Sequence, residues 1–281
     1  MRSAACTVES ILAVLNDIAP FALSESWDNA GLQVGDPGAE VSGILIGLDP
    51  TVALLDEAGA RGCDLVVTHH PLIFPHINSI RPDQPVGACI AKALAGRMAV
   101  VACHTNLDLA VQGVSQALAR RLGLADLKPL AGNQDNPALG FGRLGVLPAP
   151  LAGVDFLRTL GRRLGLPALA VAGPLPERIE WVAVCGGSGS EFASLARDRG
   201  AQVFVTAEVK HHVARWAEET GFCVIDAGHF HTERLIVGEL AAVLAESLAR
   251  RALSLSVLTT EQQGSPFSFF TGENVLATHT T

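Results

Sequence analysis

Residues 65–71 read Leu65-Val66-Val67-Thr68-His69-His70-Pro71, a short apolar run that empties into two histidines before a proline. Four strand-forming residues bounded in this way mark a buried strand, because the run is too short for a core helix. The pattern recurs twice. Val100-Val101-Ala102-Cys103 leads into His104-Thr105-Asn106-Leu107-Asp108, and Val224-Ile225-Asp226 leads into Ala227-Gly228-His229-Phe230-His231-Thr232-Glu233. In each case metal-capable side chains stand just past the carboxyl end of a strand.

Helical periodicity covers Thr7–Leu15, with Thr7 as its cap, then Val52–Ala60, Ala88–Ala95, Val114–Leu122, Val154–Leu164, Val209–Glu219 and Thr232–Arg251. Strands are expected at Val41–Leu48, Asp64–Thr68, Met98–Cys103, Ile179–Cys185, Gln202–Thr206 and Phe222–Asp226, with Leu253–Leu258 as a last one. Residues 27–35 and 71–85 read as loops. Strands separated by helices call for an α/β fold with mixed, mainly parallel sheets covered by helices. Gly, Pro and Asn thicken between Ala125 and Pro150, so 125–150 is expected to link a first half, 1–124, to a second, 151–281. The C-terminal part of the second half is expected to pack back on the first.

The composition narrows the function classes. Hydrophobic residues make up 49% and charged residues 17%, which is globular. No apolar run reaches the roughly 18 residues that span a bilayer, and no secretory signal is visible, so a cytoplasmic protein without membrane contact is expected. The formal charge of −8 and the scattered arginine pairs speak against a nucleic-acid groove. Six cysteines without CxxC spacing read as buried small hydrophobes in a reducing compartment.

Open α/β sheets bind ligands beyond the carboxyl ends of their strands, so the three histidine-bearing ends are expected to converge. His229 and Glu233 are four apart at a helix start and share a face, whereas His231 should point elsewhere. A bend before Pro71 lets His69 and His70 serve neighbouring ions. With Asp108, these give His69, His70, Asp108, His229 and Glu233 as metal ligands. Imidazole with carboxylate suits Zn, Fe or Mn better than Ca or Mg. Five such groups exceed the needs of one ion with an open position, and fit two divalent ions about 3.5–4 Å apart.

His104 either orients a ligand or works directly on a substrate. With no tyrosine in the chain, His104, His211 and Lys210 are the candidates for proton transfer, in that order. His211 or the adjacent His212 either faces the site or is a buried structural histidine. His76 and His279 read as solvated surface. The turn Gly186 to Ser190 reads as an ordinary strand-to-helix turn, with a phosphate cradle as the sharper alternative. Trp27 reads as a hydrophobic plug, with base stacking as the alternative. Asp28 and Asn29 are turn formers first and substrate contacts second.

The segments Ser26-Trp27-Asp28-Asn29-Ala30-Gly31-Leu32-Gln33-Val34-Gly35, Thr68-His69-His70-Pro71, His104-Thr105-Asn106-Leu107-Asp108, Thr206-Ala207-Glu208-Val209-Lys210-His211-His212 and Asp226-Ala227-Gly228-His229-Phe230-His231-Thr232-Glu233 resemble the Nif-three-like dinuclear metal family. Its bacterial members are labelled GTP cyclohydrolase 1 type 2 homologues. The resemblance runs from Val8 to Leu258. It implies two intertwined α/β halves, a metal cleft between them, and a homohexamer built as a trimer of dimers. The family ligands fall on the same five residues, with Glu233 as the bridge. Ala207 stands where the family often has Gly, and His231 where it commonly has a small residue.

The implied activity is hydrolytic attack on purine C8 of GTP with release of formate, on a small-molecule or nucleotide substrate. Two alternatives stand beside it. One is a non-catalytic metal-binding or regulatory ring, and the other is a metal-dependent phosphoesterase.

Overall fold

A computed structural model of the chain describes residues 6–133, 135–270 and, for the backbone, 275–277. The chain folds into two compact α/β units. Of the described residues, those up to Ala110 form the first unit together with Ile236–Gln263, and those within Val111–Leu235 form the second together with Gly264–Phe270.

The first unit carries a five-stranded sheet in the order Gly31–Val34, Ala99–Ala102, Leu65–Thr68, Gly43–Gly47, Ser256–Thr259. All neighbours pair in parallel except the first strand, which runs antiparallel to Ala99–Ala102. Every residue of the three central strands is buried, as expected of parallel strands covered on both faces. On one face Leu54, Leu55 and Ala58 of helix Val52–Ala60 join Cys89, Ile90 and Ala93 of helix Pro85–Ala95 against Leu45, Val66 and Val100. Two threonines start helices here. Thr51 Oγ1 accepts from Leu54 N at 3.1 Å, and Thr7 forms a reciprocal cap with Ser10 ahead of helix Val8–Ile18.

The second unit carries a six-stranded sheet in the order Ala125–Gly132, Gly140–Ala152, Arg178–Ser188, Val203–Ala207, Cys223–Asp226, Ala170–Ala172. Its three strands from Arg178 to Asp226 are parallel, and the flanking pairs are antiparallel. Strand Val203–Ala207 shows the period of two in its packing. Val203 and Val205 enter one core with Leu160 and Ile225, while Phe204 enters the other with Leu130, Val213 and Phe222. Helices Gly153–Leu164 and His211–Thr220 stop at left-handed glycines, Gly165 and Gly221.

Two readings of the sequence need correction. Residues 125–150 do not form a linker but two long antiparallel strands of the second sheet. Their pattern was hidden by Pro129, which an edge strand tolerates, and by register shifts within both strand pairings. Gly31–Val34, read as loop, is the antiparallel edge strand of the first sheet. The C-terminal helix, Leu235–Arg250, returns the chain to the first unit, and Ser256–Thr259 completes its sheet. No helix among the described residues is long and apolar enough to cross a membrane. No cysteine among them forms a disulfide.

Candidate metal centre

In the first unit, two neighbouring parallel strands deliver the histidines. Leu65–Thr68 ends at His69 and His70, and Ala99–Ala102 ends two residues before His104. The ligand-capable atoms of His69, His70 and His104 lie within 4.8 Å of one another. Asp108 sits on the short helix Thr105–Leu109, with its Oδ1 3.8 Å from His69 Nε2. Backbone bonds fix the turn: His69 N and His70 N donate to Gly47 O and Leu48 O, and Thr68 Oγ1 donates to His70 O at 2.7 Å.

The outer nitrogens of these rings are held by oxygen. His69 Nδ1 donates to Cys103 O at 2.8 Å, and His70 Nδ1 to Asp49 Oδ1 at 2.7 Å. His104 Nδ1 donates to Asp28 Oδ1 at 2.7 Å. An Nδ1–H committed to oxygen fixes the tautomer and leaves Nε2 with its lone pair, the arrangement found behind metal-bound histidines.

Asp28 does more than turn the chain. Its carboxylate accepts from His104, Thr105 N, Thr105 Oγ1 and Asn29 N. Burial pushes its pKa up, but the bonds from His104 and Thr105 outweigh that and hold it far below the ordinary carboxylate value. A depressed folded-state pKa stabilises the fold above the unfolded value of about 3.9 and loses that contribution as pH falls toward the lower folded value. Asp28→Asn is therefore expected to cost about 1.5–3 kcal/mol at neutral pH. In urea denaturation the gap to the wild type should narrow as the buffer is taken below about pH 3.9. A gap independent of pH would refute the charge assignment.

Asn29 supplies a second tie. Its Nδ2 donates to Ile73 O at 2.8 Å and to Gln33 Oε1 at 3.1 Å, clamping the loop that follows His70. Trp27 and Phe74, the aromatic residues of these two loops, meet edge to face with centroids 5.9 Å apart. Each also lies edge-on to His104, at 6.3 and 6.4 Å. Trp27 is 59% and Phe74 47% exposed, so Trp27 is not the plug expected from sequence. The polar ties of Asp28 and Asn29, not burial, fix its position.

In the second unit, His229 and Glu233 occupy the short helix His229–Glu233 beyond strand Cys223–Asp226. His229 Nε2 lies 2.8 Å from Glu233 Oε2, and His229 Nδ1 lies 2.9 Å from Glu208 Oε1. An imidazole between two carboxylates needs a cation on one side, either its own second proton or a metal. Glu208 stands just past strand Val203–Ala207 in a left-handed conformation, φ +52°. Asp226 ties the two loops together, accepting from Val209 N at 2.9 Å and Gly228 N at 3.0 Å. His231 points away from this pair: it is buried, donates from Nδ1 to Leu164 O at 3.2 Å, and burial lowers its pKa.

The remaining sequence candidates fall as follows. His211 and His212 are exposed at the head of helix His211–Thr220, so the buried structural reading does not apply to either. Neither joins a group of metal-capable side chains among the described residues. His76 is exposed, and His279 lies outside the described residues. The turn at Gly186 to Ser190 has already committed its three glycine amides. Gly186 N donates to Ser115 Oγ, Gly187 N to Thr232 Oγ1 and Gly189 N to Thr206 Oγ1. The phosphate alternative is thus not supported. Sequence reasoning passed over Asp49 and Glu208 as partners of His70 and His229, although both follow strand ends.

The donor set fits a divalent ion in both units: imidazoles whose Nδ1 is held by oxygen, each set accompanied by a carboxylate within 4 Å. The model of the Duf34/NIF3 (NGG1p interacting factor 3) family matches residues 6–266. A GTP cyclohydrolase 1 type 2 homolog of Clostridium acetobutylicum is 31% identical over 93% of this chain and 98% of its own. A protein of the same description from Nostoc is 34% identical over 88% and 95%. The crystal structure of a Staphylococcus aureus hypothetical protein superposes with a TM-score of 0.90 at 26% identity, covering 95% of this chain and all of that one. The fold, the strand-end histidines and these matches together place the chain in the DUF34/NIF3 family.

Proposed function

We propose that His69, His70, Asp108, His229 and Glu233 hold two divalent ions, Zn, Fe or Mn, and that the protein is a metal-dependent hydrolase acting on a nucleotide. The observation that carries this reading is the repeated Nδ1–oxygen contact behind His69, His70 and His229. Four imidazoles oriented alike, the fourth being His104, are more than packing requires. A bound ion pair supplies a water acidic enough to attack at neutral pH and positive charge for a substrate oxygen.

The chain's own residues supply the rest. Asp108 and Glu233 balance the charge of the ions. Asp28 holds His104 with Nε2 available, so that nitrogen takes up and returns a proton; His211 is the second candidate for this role. Trp27 and Phe74 present exposed ring surface beside His104, which suits a planar heterocycle. Relatives described as GTP cyclohydrolase 1 type 2 homologs support hydrolytic opening of the purine imidazole ring at C8, with release of formate. We place the protein in the cytoplasm as a homohexamer, a trimer of dimers, which light scattering on the purified protein tests.

The deciding experiment measures metal content of protein purified without chelator, then formate release from GTP. Two ions per chain and GTP-dependent formate are expected. His104→Ala should keep the ions and lose turnover by about 10²–10⁴-fold. A loaded wild type that releases no formate sinks the cyclohydrolase reading. Release of phosphate from phosphoesters would then indicate a phosphoesterase, and no turnover at all a non-catalytic metal protein.

A further inference from the structure

The geometry points to Gly187 as a positioning residue: its missing side chain is the socket that seats the Glu233 carboxylate. A Cβ built on Gly187 would lie 2.0 Å from Glu233 Oε1, 2.9 Å from Glu233 Cδ and 3.5 Å from His229 Cε1. The first two distances are far inside van der Waals contact, so any side chain at this position must expel the carboxylate or move the turn. The turn is not free to move. Gly187 N donates to Thr232 Oγ1 at 3.0 Å, and Gly187 O accepts from Thr206 Oγ1 at 3.2 Å. Thr232 Oγ1 in turn lies within hydrogen-bond reach of Gly228 O and His229 O, at 3.0 and 2.9 Å. Thr232 thus couples the glycine to the start of the helix that carries both His229 and Glu233.

The flanking glycine behaves differently. A Cβ on Gly186 would strike Val114 Cγ1 at 2.5 Å and reach Glu233 only at Cγ, 3.6 Å away. Gly187 alone of the two faces the carboxylate oxygens. The turn that sequence offers as a phosphate cradle is, in this structure, a carboxylate cradle. Its glycine acts on a buried side chain of the protein itself, and specifies where the Glu233 oxygens lie relative to His229 Nε2.

This inference rests on Glu233 being a ligand and extends that role to the backbone behind it. Gly187 has φ +65°, so Gly187→Ala also strains the backbone. Gly221 supplies the control. It has φ +68°, and a Cβ built there meets nothing within 4 Å. Full-length wild type, Gly187→Ala, Gly221→Ala and the double variant Gly187→Ala/Glu233→Asp would be titrated with Co²⁺, following its visible absorption. Gly187→Ala is expected to weaken Co²⁺ binding by at least about tenfold. Gly221→Ala should bind as the wild type does. The double variant should bind more tightly than Gly187→Ala, because Asp is one methylene shorter and withdraws the carboxylate from the added methyl.

Wild-type affinity in Gly187→Ala, or equal losses in both single variants, overturns the proposal. A second readout separates it from the metal reading. In metal-free protein the ring ¹⁵N shifts of His229 should move in Gly187→Ala and not in Gly221→Ala. If the wild type bound no Co²⁺ while those shifts behaved as stated, the metal centre would fail and the socket would stand. Unmoved His229 shifts in Gly187→Ala overturn the socket.

Discussion

Glu233→Gln is expected to yield a folded protein that retains little metal and gains no thermal stability when divalent ions are added. The side chain is buried, 4% exposed, with Oε2 2.8 Å from His229 Nε2. Gln keeps the shape but removes the charge that balances the ions, and offers one amide oxygen where the carboxylate offers two. Outer partners of metal ligands typically affect affinity by about 10–100-fold, so loss of a direct ligand should exceed the upper end of that range. Because the family resemblance makes Glu233 the bridge, both ions should leave together. Metal analysis checks the result alongside thermal melts with and without added Zn²⁺. Full occupancy in the variant would remove Glu233 from the ligand set.

Phe204→Ala is expected to lower the stability of the second unit by about 3–5 kcal/mol, the usual cost of deleting a fully buried phenyl ring. Phe204 is wholly buried in the middle of strand Val203–Ala207, between two parallel neighbours, and its ring enters the core made by Leu130, Val213, Ala217 and Phe222. That core includes residues of the antiparallel strands at 125–152, so a cavity here loosens pairings on both sides of the strand. The same strand leads into Glu208, whose carboxylate lies 2.9 Å from His229 Nδ1. Metal affinity should therefore fall in step with stability. Urea denaturation of metal-free protein measures the first effect and ion titration the second. A loss below about 1 kcal/mol would mean that the core collapses to fill the space.

What sequence reveals here follows from how each feature is encoded. Fully buried parallel strands such as Leu65–Thr68 and Val203–Ala207 announce themselves as short β-branched runs, and the polar residues just beyond them are conspicuous. The histidines were legible for that reason. Asp49 and Glu208 were not, because each acts through the far nitrogen of a histidine 21 residues away in the chain. Nothing local records that pairing. The strand-end rule would still have found them, since Asp49 follows Gly43–Gly47 and Glu208 follows Val203–Ala207.

Strands whose apolar residues are interrupted by glycine and proline were missed altogether. Gly31–Val34 and the pair at 125–152 owe their state to long-range hydrogen bonding, which leaves no periodic trace. Trp27 was misjudged because hydrophobicity alone suggests burial, while its position is fixed by the polar neighbours Asp28 and Asn29.

The order in which the chain visits its two units bears on biosynthesis. Strand Gly43–Gly47 finds one neighbour, Leu65–Thr68, soon after it is made, but its other neighbour is Ser256–Thr259. A ribosome must polymerise Val111–Leu235, the bulk of the second unit, before that flank is covered. Until then a fully apolar strand, Gly43-Ile44-Leu45-Ile46-Gly47, presents open amide and carbonyl groups to any other nascent chain. Slow elongation through codons 111–255 lengthens that window, and chaperone demand during translation should rise with it.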